Sequence, residues 1–335
     1  MDIKRVMIYA EQANCRVEAS FFELLSKAKE NFGDSPEYAA VIIGTEFQGE
    51  IEELKESGVD KVYVMDDKRL WVYNPEFHVR ATVEAIKQFD PCVFLIGATA
   101  CGEEIAPTVG QIFHTGVAAH CVNLIYKEDG TFAQMVPAFG GKVIGEIFTP
   151  KTRPMMASVK PGMFIASPQP KRAGEVINLD PAVLDEVRGK IKTIDSRFEE
   201  MKKLPVDKAD VVVCGGFGMG GQENWNLLEQ LASMIGAAVG STRPPVDETW
   251  VENDANMIGT SGKSVRPKLY LGTGISGATH HVCGIKDAGT IISINCNADA
   301  EIFQASDYKV VGDGATILKK VIELIQQEKD FCKVD

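Results

Sequence analysis

Short apolar runs alternate along this chain with longer stretches whose apolar residues fall three and four positions apart. The first pattern marks buried strands and the second amphipathic helices. Lys4–Ala10, Ala40–Gly44, Lys61–Met65 and Val93–Gly97 are predicted strands. Glu18–Phe32, Phe47–Ser57, Glu76–Phe89 and Glu103–Phe113 are the predicted helices, with Phe21, Leu24, Leu25 and Ala28 on one face of the first. Pro75 suits the first turn of the third helix, where its missing N–H is no loss. Four strand–helix units in a row predict a parallel sheet covered on both faces.

After residue 116 the pattern becomes strand upon strand: Ala118–Tyr126, Phe132–Val136, Lys142–Ile147 and Met155–Lys160. These predict an antiparallel extension of the sheet, punctuated by Pro137–Gly141 and Arg153-Pro154. Pro161–Ala209 carries five prolines and a single helical run, Ala182–Lys192, and reads as an interdomain connection. The expected domains are therefore 1–198 and 199–335. In the second, Ala209–Cys214, Ala237–Gly240, a run starting at Leu269, Thr290–Ile294 and Asp307–Val311 are strands. Asn224–Ile235, Ala278–Lys286 and Gly314–Gln327 are helices. The fold class is α/β, with two mostly parallel, doubly wound sheets, the second Rossmann-like.

Length and charge narrow the function. At 335 residues two ordinary domains fit. The net charge of −12 argues against nucleic acid as a main partner. No run of about 18 apolar residues predicts a membrane span. Met1–Arg5 leads straight into Val6–Ala10, which reads as neither a signal peptide nor a transit peptide. The eight cysteines are scattered and form no C-x-x-C, so neither an iron–sulfur cluster nor a zinc ribbon is expected. Five histidines give no metal spacing. The thiols point to a cytoplasmic protein.

Candidate chemistry concentrates in the second half. Gly272-Thr-Gly-Ile-Ser-Gly277 has a G-x-G-x-x-G spacing between a strand and a helix start, followed by His280 and His281. Such a turn lets backbone N–H groups approach a phosphate. Gly216, Gly218 and Gly221 repeat the spacing. Polar and glycine residues follow each predicted strand, at Gly215–Gly221, Ser241–Arg243, Gly272–His281, Asn295 and Asp313. In an open parallel sheet these positions share one edge, where ligands bind. A dinucleotide with a pyrophosphate is expected. The second strand ends in Ser-Thr-Arg and lacks the acid that would hold an NAD ribose. A 2′-phosphate on Arg243 keeps NADP open, but flavin is favoured, because Arg243 or His281 would neutralise charge on a reduced ring. Gly97–Glu104, after the fourth strand, reads as structural, its carboxylates suiting a helix start. Ser276 and His281 suggest a hydrolase triad, but no G-x-S-x-G elbow precedes them in a fitting context. Cys214, Cys283 and Cys296 read as small apolar fillers.

Gly240–Asp247, Gly259–Lys263, Leu269–His281, Ile294-Asn295, Ile302–Gln304, Asp307-Tyr308 and Asp313 resemble the FAD domain of the electron transfer flavoprotein alpha subunit (ETF alpha/FixB) family. Gly97–Thr99, Glu104–Pro107, Pro137–Gly141 and Arg153-Pro154 extend the resemblance through the first half.

The resemblance implies an FAD-bound electron carrier, not itself an enzyme. It would exchange electrons with a flavin dehydrogenase such as an acyl-CoA dehydrogenase, and both carrier and bifurcating members occur in the family. It implies a beta subunit partner carrying AMP or a second FAD, paired with the N-terminal domain. Carried over, Arg243 and His281 lie at the isoalloxazine and Ser261 near flavin N5. Ser276 and the backbone of Gly274, Ile275, Gly277 and Ala278 hold phosphate, and Asn295 and Asp313 bind the adenosine end. Lys263 matches a family lysine, expected nearer phosphate than the ring. Gly216, Phe217 and Gly218 form the first glycine turn, and Thr260, Ser261 and Gly262 a second contact loop. This chain departs from the family at Phe217 (usually Arg), Thr242 (Ser), Thr260-Ser261 (Gln-Thr) and His280 (Gln). Phe217 reads equally as a core residue, and His280 as a surface residue more than a flavin contact. The alternatives are an NAD(P)-dependent oxidoreductase and a nucleotide-sensing module using the same crevice.

Overall fold

The computed structural model describes residues 3–13, 16–138, 143–170, 174–196, 204–252 and 254–331. Cys15, Cys332, the Phe139, Gly140 and Gly141 part of one motif, and the expected boundary after residue 198 lie outside the described residues. The chain divides into two compact units, Met1–Phe198 and Glu199–Asp335.

The first unit begins with β1 (Arg5–Tyr9), a short ladder of β2 (Gln12–Ala13) and β3 (Arg16–Val17), and α1 (Ala19–Phe32). There follow β4 (Glu37–Gly44), α2 (Glu50–Glu56), β5 (Lys61–Asp66), α3 (Pro75–Phe89), β6 (Val93–Gly97) and α4 (Ala100–Ile112). Next come β7 (Val117–Cys121), β8 (Asn123–Tyr126), β9 (Phe132–Ala138), β10 (Val143–Ile147), β11 (Met155–Val159) and β12 (Glu175–Asn178). Among the described residues a seven-stranded sheet runs in the order β12-β5-β4-β1-β6-β11-β7, all parallel. The strand period of two sends Val6 and Ile8 to the face covered by Leu24 and Leu25 of α1, and Met7 and Tyr9 to the face covered by Ile86 and Phe89 of α3. Asn74 caps α3 by accepting from the N–H groups of Glu76 and Phe77, with Pro75 at the first position.

Two expectations are corrected here. β11 and β7 do not extend the sheet in antiparallel fashion; β11 pairs parallel with β6, and β7 parallel with β11. Strands β8, β9 and β10 form a separate antiparallel sheet. Apolar alternation reports burial of a strand but not the direction of its neighbour. The segment read as an interdomain connection also contributes β12, which adds to the sheet edge beside β5. Helix α4 starts before Glu103, because Thr99 caps it by accepting from the Gly102 N–H. Thr99 also donates to the Glu11 carboxylate. The crevice where β1 and β6 diverge is thus tied by the chain's own side chains.

The second unit contains β13 (Val211–Gly215), α5 (Gln222–Ile235), β14 (Ala238–Ser241), α6 (Arg243–Asp247), β15 (Leu269–Thr273), α7 (Thr279–Val282), β16 (Ile291–Asn295), β17 (Tyr308–Val311) and α8 (Gly314–Phe331). The sheet order is β14-β13-β15-β16-β17, again parallel. Trp225, Leu228 and Leu231 of α5 meet Leu318 and Ile322 of α8 on one face. Tyr270, Ile285, Ile302 and Phe303 pack on the other. Gly236, in the left-handed region at φ 68°, ends α5 with its N–H on the Ala232 carbonyl. The chain leaves β13 for β14 on one side and returns to β15 on the other. Strand order therefore reverses between β13 and β15, and a crevice opens at their carboxyl ends. Among the described residues no helix is long and apolar enough to cross a membrane.

Candidate functional site

The two glycine turns are packed against each other at that crevice. The Gly216 N–H donates to the Thr273 carbonyl at 2.9 Å, and the Gly218 N–H to the Gly274 carbonyl at 2.8 Å. A Cβ on Gly216 would lie 2.4 Å from the Gly274 oxygen, and one on Gly218 2.8 Å from Gly274 Cα. Gly274 itself has φ 66°. The glycines are there so that two backbones can touch.

Beyond this contact lies a cleft of about 670 Å³, a size usual for cofactor sites. The first turn supplies Phe217 and Gly218 to its wall, and the end of β14 supplies Thr242, Arg243 and Pro244. Met257, Ile258, Gly259, Thr260, Ser261 and Gly262 form a second wall. Gly274, Ile275, Ser276 and Ala278 come from the turn after β15, and His280 and His281 from α7. Asn295, Asn297, Asp299, Ala300 and Glu301 complete the lining after β16. Among the described residues, nothing accepts from the N–H groups of Ile275, Ser276, Gly277 or Ala278. Successive unpaired N–H groups beside glycines at φ 66° and 94° make an anion-binding concavity. The expected helix over Ala278–Lys286 is only the four residues of α7, so the loop itself supplies these donors.

Three of the expected binding residues stand outside the lining. Gly216 is buried by the opposing turn. A Cβ on Gly277 would meet the Ile302 N at 2.0 Å, so it serves packing against Glu301–Ala305. Asp313 caps α8 by accepting from the Thr316 N–H and hydroxyl, and these bonds hold its carboxyl below the usual range. Both of these bonds fall on Oδ2 of the carboxylate. Lys263, expected near phosphate, pairs instead with Asp207 at 2.7 Å.

Arg243 is exposed and pairs with Asp247 at 2.8 Å, one turn along α6. Phe217 is 60% exposed and stacks on Trp250, which removes the reading of it as core. The Thr242 N–H donates to the Gly215 carbonyl. His280 is exposed, and its Nδ1 lies 3.0 Å from the Thr260 hydroxyl. Asn295 donates to the Ile275 carbonyl and accepts from the Asn297 N–H. His281 is buried, with both ring nitrogens engaged inside the protein. Burial pushes it down to about 4, so it is neutral near pH 7. Asn297, Asp299 and Glu301 were not foreseen. The only sequence signal was Asn-x-Asn-x-Asp after a strand, a pattern that forms side-chain turns, as in the bond from the Asp299 N–H to Asn297.

A family model described as "Electron transfer flavoprotein domain" matches residues 6–184, and one described as "Electron transfer flavoprotein FAD-binding domain" matches residues 205–286. The chain belongs to the electron transfer flavoprotein alpha subunit (ETF alpha/FixB) family. It is 37% identical to an electron transfer flavoprotein subunit alpha of Thermoanaerobacterium thermosaccharolyticum, over 98% of this chain and 99% of the relative. A subunit alpha of Megasphaera elsdenii is 34% identical, over 99% of each chain. Subunit LctC of a lactate dehydrogenase (NAD(+),ferredoxin) from Acetobacterium woodii is 32% identical, over 96% of this chain and 77% of the relative. As in the rest of the ETF alpha family, the second unit is an FAD-binding domain and the function is electron transfer. The back-to-back glycine turns, the unpaired N–H groups and the cleft fit a flavin dinucleotide.

Proposed function

We propose that this chain holds one FAD in the cleft of its second unit and works as the alpha subunit of a two-subunit cytoplasmic electron carrier. The observation that carries the reading is the row of unpaired N–H groups from Ile275 to Ala278, beside two interlocked glycine turns at the crevice between β13 and β15. Those groups would hold the diphosphate, with Ser276 adding a hydroxyl. Asp299 and Glu301 repel phosphate but accept from hydroxyls, so their end of the cleft suits the adenosine sugar, beside Asn295. Arg243, Ser261, Thr260 and the two histidines would border the ring, with Thr242, Gly262, Phe217 and Gly218 as backbone or apolar walls. When bound, FAD stores and releases electrons; the chain's part is to bind it, orient it and balance its charge.

The partner would be a beta subunit with AMP or a second FAD, and the electron source a flavin dehydrogenase such as an acyl-CoA dehydrogenase. The likeness to LctC, a subunit of a dehydrogenase named for NAD(+) and ferredoxin, favours a place in an electron-bifurcating complex as a second reading. Purification from its source with any associated subunit, followed by a flavin spectrum and a flavin count, tests both readings. One FAD per alpha subunit supports the carrier, and a second in the partner supports bifurcation. A colourless chain that stays so with added FAD would overturn the proposal and favour a nucleotide-sensing or NAD(P)-dependent module.

A further inference from the structure

Two buried side chains behind the cleft are hydrogen-bonded to each other, with the Cys214 thiol in the same core. The Tyr270 hydroxyl on β15 lies 2.7 Å from Nε2 of His281. Nδ1 of His281 lies 3.0 Å from the Ile258 carbonyl. A carbonyl only accepts, so Nδ1 carries the hydrogen. Nε2 is then a bare lone pair, and Tyr270 must donate to it. On the neighbouring strand β13, Cys214 is buried in the same core as Tyr270. Its thiol donates to the Gly215 carbonyl, with sulfur and oxygen 4.0 Å apart. Cys214 and Tyr270 are fully buried and His281 nearly so. Burial, acting first on each, favours the uncharged form of all three.

This inference rests on the FAD reading above. We propose that Tyr270 is a positioning residue that sets the protonation of His281: it holds a neutral imidazole against the oxidised cofactor and accepts the Nε2–H of an imidazolium once electrons bring negative charge into the cleft. A hydroxyl can reverse its role where a carbonyl or an ammonium cannot. When Nε2 takes a proton from solvent hydronium, the new N–H donates to the Tyr270 oxygen. The tyrosine O–H rotates away from Nε2 to make room for it. One N–H bond forms on His281, one O–H bond of the hydronium that delivers the proton breaks, and no bond between heavy atoms changes.

The groups in contact with the His281 ring are Tyr270 from β15 and the Ile258 carbonyl from the loop before β15, while the titratable His280 and Cys283 are its near neighbours along the chain. The charged groups in the same cleft are Arg243 from α6, already paired with Asp247, and Asp299 and Glu301 after β16. None of these charges contributes to holding His281 low; burial lowers it, and the bond to Ile258 partly opposes this. The charge that would raise it is the one the cofactor acquires.

Nitrogen-15 histidine NMR of the full chain, stripped of cofactor, reads the first half of the proposal. Wild-type His281 should keep the Nδ1–H tautomer without titrating from about pH 9 to about pH 5. In Tyr270→Phe its Nε2 signal should move to that of an imine nitrogen without a donor. Potentiometry of the flavin-loaded protein reads the second half. The wild-type midpoint should fall as pH rises, up to a break where the reduced protein gives up the His281 proton. In Tyr270→Phe the imidazolium loses a charge-assisted bond, so the break should move down by about one pH unit or more. Cys214→Ala, a second variant that keeps the Tyr270–His281 pair, should leave the break where it is. A His281 that titrates near the ordinary histidine value in the stripped protein, or a Tyr270→Phe profile equal to wild type, would overturn the proposal. A chain that takes up no flavin sinks the FAD reading and the charge-coupled half with it, while the NMR result still decides the tautomer.

Discussion

Phe217 and Trp250 stack with ring centroids 5.8 Å apart and planes inclined by 10°. The pair stands at the cleft mouth, with Phe217 in the lining. An aromatic ring adds little field where a guanidinium would stabilise electrons stored nearby. Phe217→Arg should therefore raise the flavin midpoint potential. At an exposed position the gain is about 1 kcal/mol per electron, or about 40 mV. A redox titration reads it directly, and no change would put residue 217 away from the ring.

Gly274 is forbidden a side chain twice over. Its φ is 66°, and a Cβ would lie 2.6 Å from the Gly218 carbonyl carbon. Gly274→Ala should cost about 2–4 kcal/mol by combining backbone strain with a clash that neither turn can relieve. It should also lower flavin content. Gly236 has nearly the same φ, 68°, but nothing within 4 Å of a Cβ. Gly236→Ala should cost only about 1 kcal/mol and leave flavin binding unchanged. Urea unfolding and flavin counts on the two variants separate steric fit from backbone strain.

Arg243→Ala should leave thermal stability unchanged while weakening flavin retention and lowering the midpoint potential. Its bond to Asp247 joins two exposed side chains in high dielectric, where such pairs add little. A large fall in melting temperature would instead mean that α6 depends on the pair for its structure.

In the first unit, burial holds His78 down to about 4. Its unfolded value is near 6.5, so between those values the unfolded chain binds more protons. Stability is full above about pH 6.5 and is lost as pH falls toward 4, by about 3 kcal/mol in total. Denaturant unfolding at several pH values should show this loss. His78→Phe, which keeps a ring beside Tyr73, should flatten it. An unchanged slope would place the proton uptake elsewhere.

Most of the cleft was legible from the turn sequences. Gly216, Gly218 and Gly274 announce a close approach because no other residue tolerates one. Arg243, Ser276 and His281 follow strand ends, and parallel strands bring such ends to one edge; Ser261, in the loop between β14 and β15, was marked only by the family resemblance. Asp313 also follows a strand end, and it caps α8. Asn297, Asp299 and Glu301 carried no comparable mark, because ordinary turns after a strand use the same residue types.

The sequence by itself determined most of the elements, the α/β class and the sheet edge where the cleft opens, because hydrophobic period and glycine placement are local properties. Only the tertiary structure decided how each polar group is used. It sent β11 into the parallel sheet and gave Lys263 to Asp207. It also made His281 neutral, since whether an imidazole is charged depends on its burial and on which neighbours donate or accept. Those neighbours, Ile258 and Tyr270, are 23 and 11 residues away along the chain.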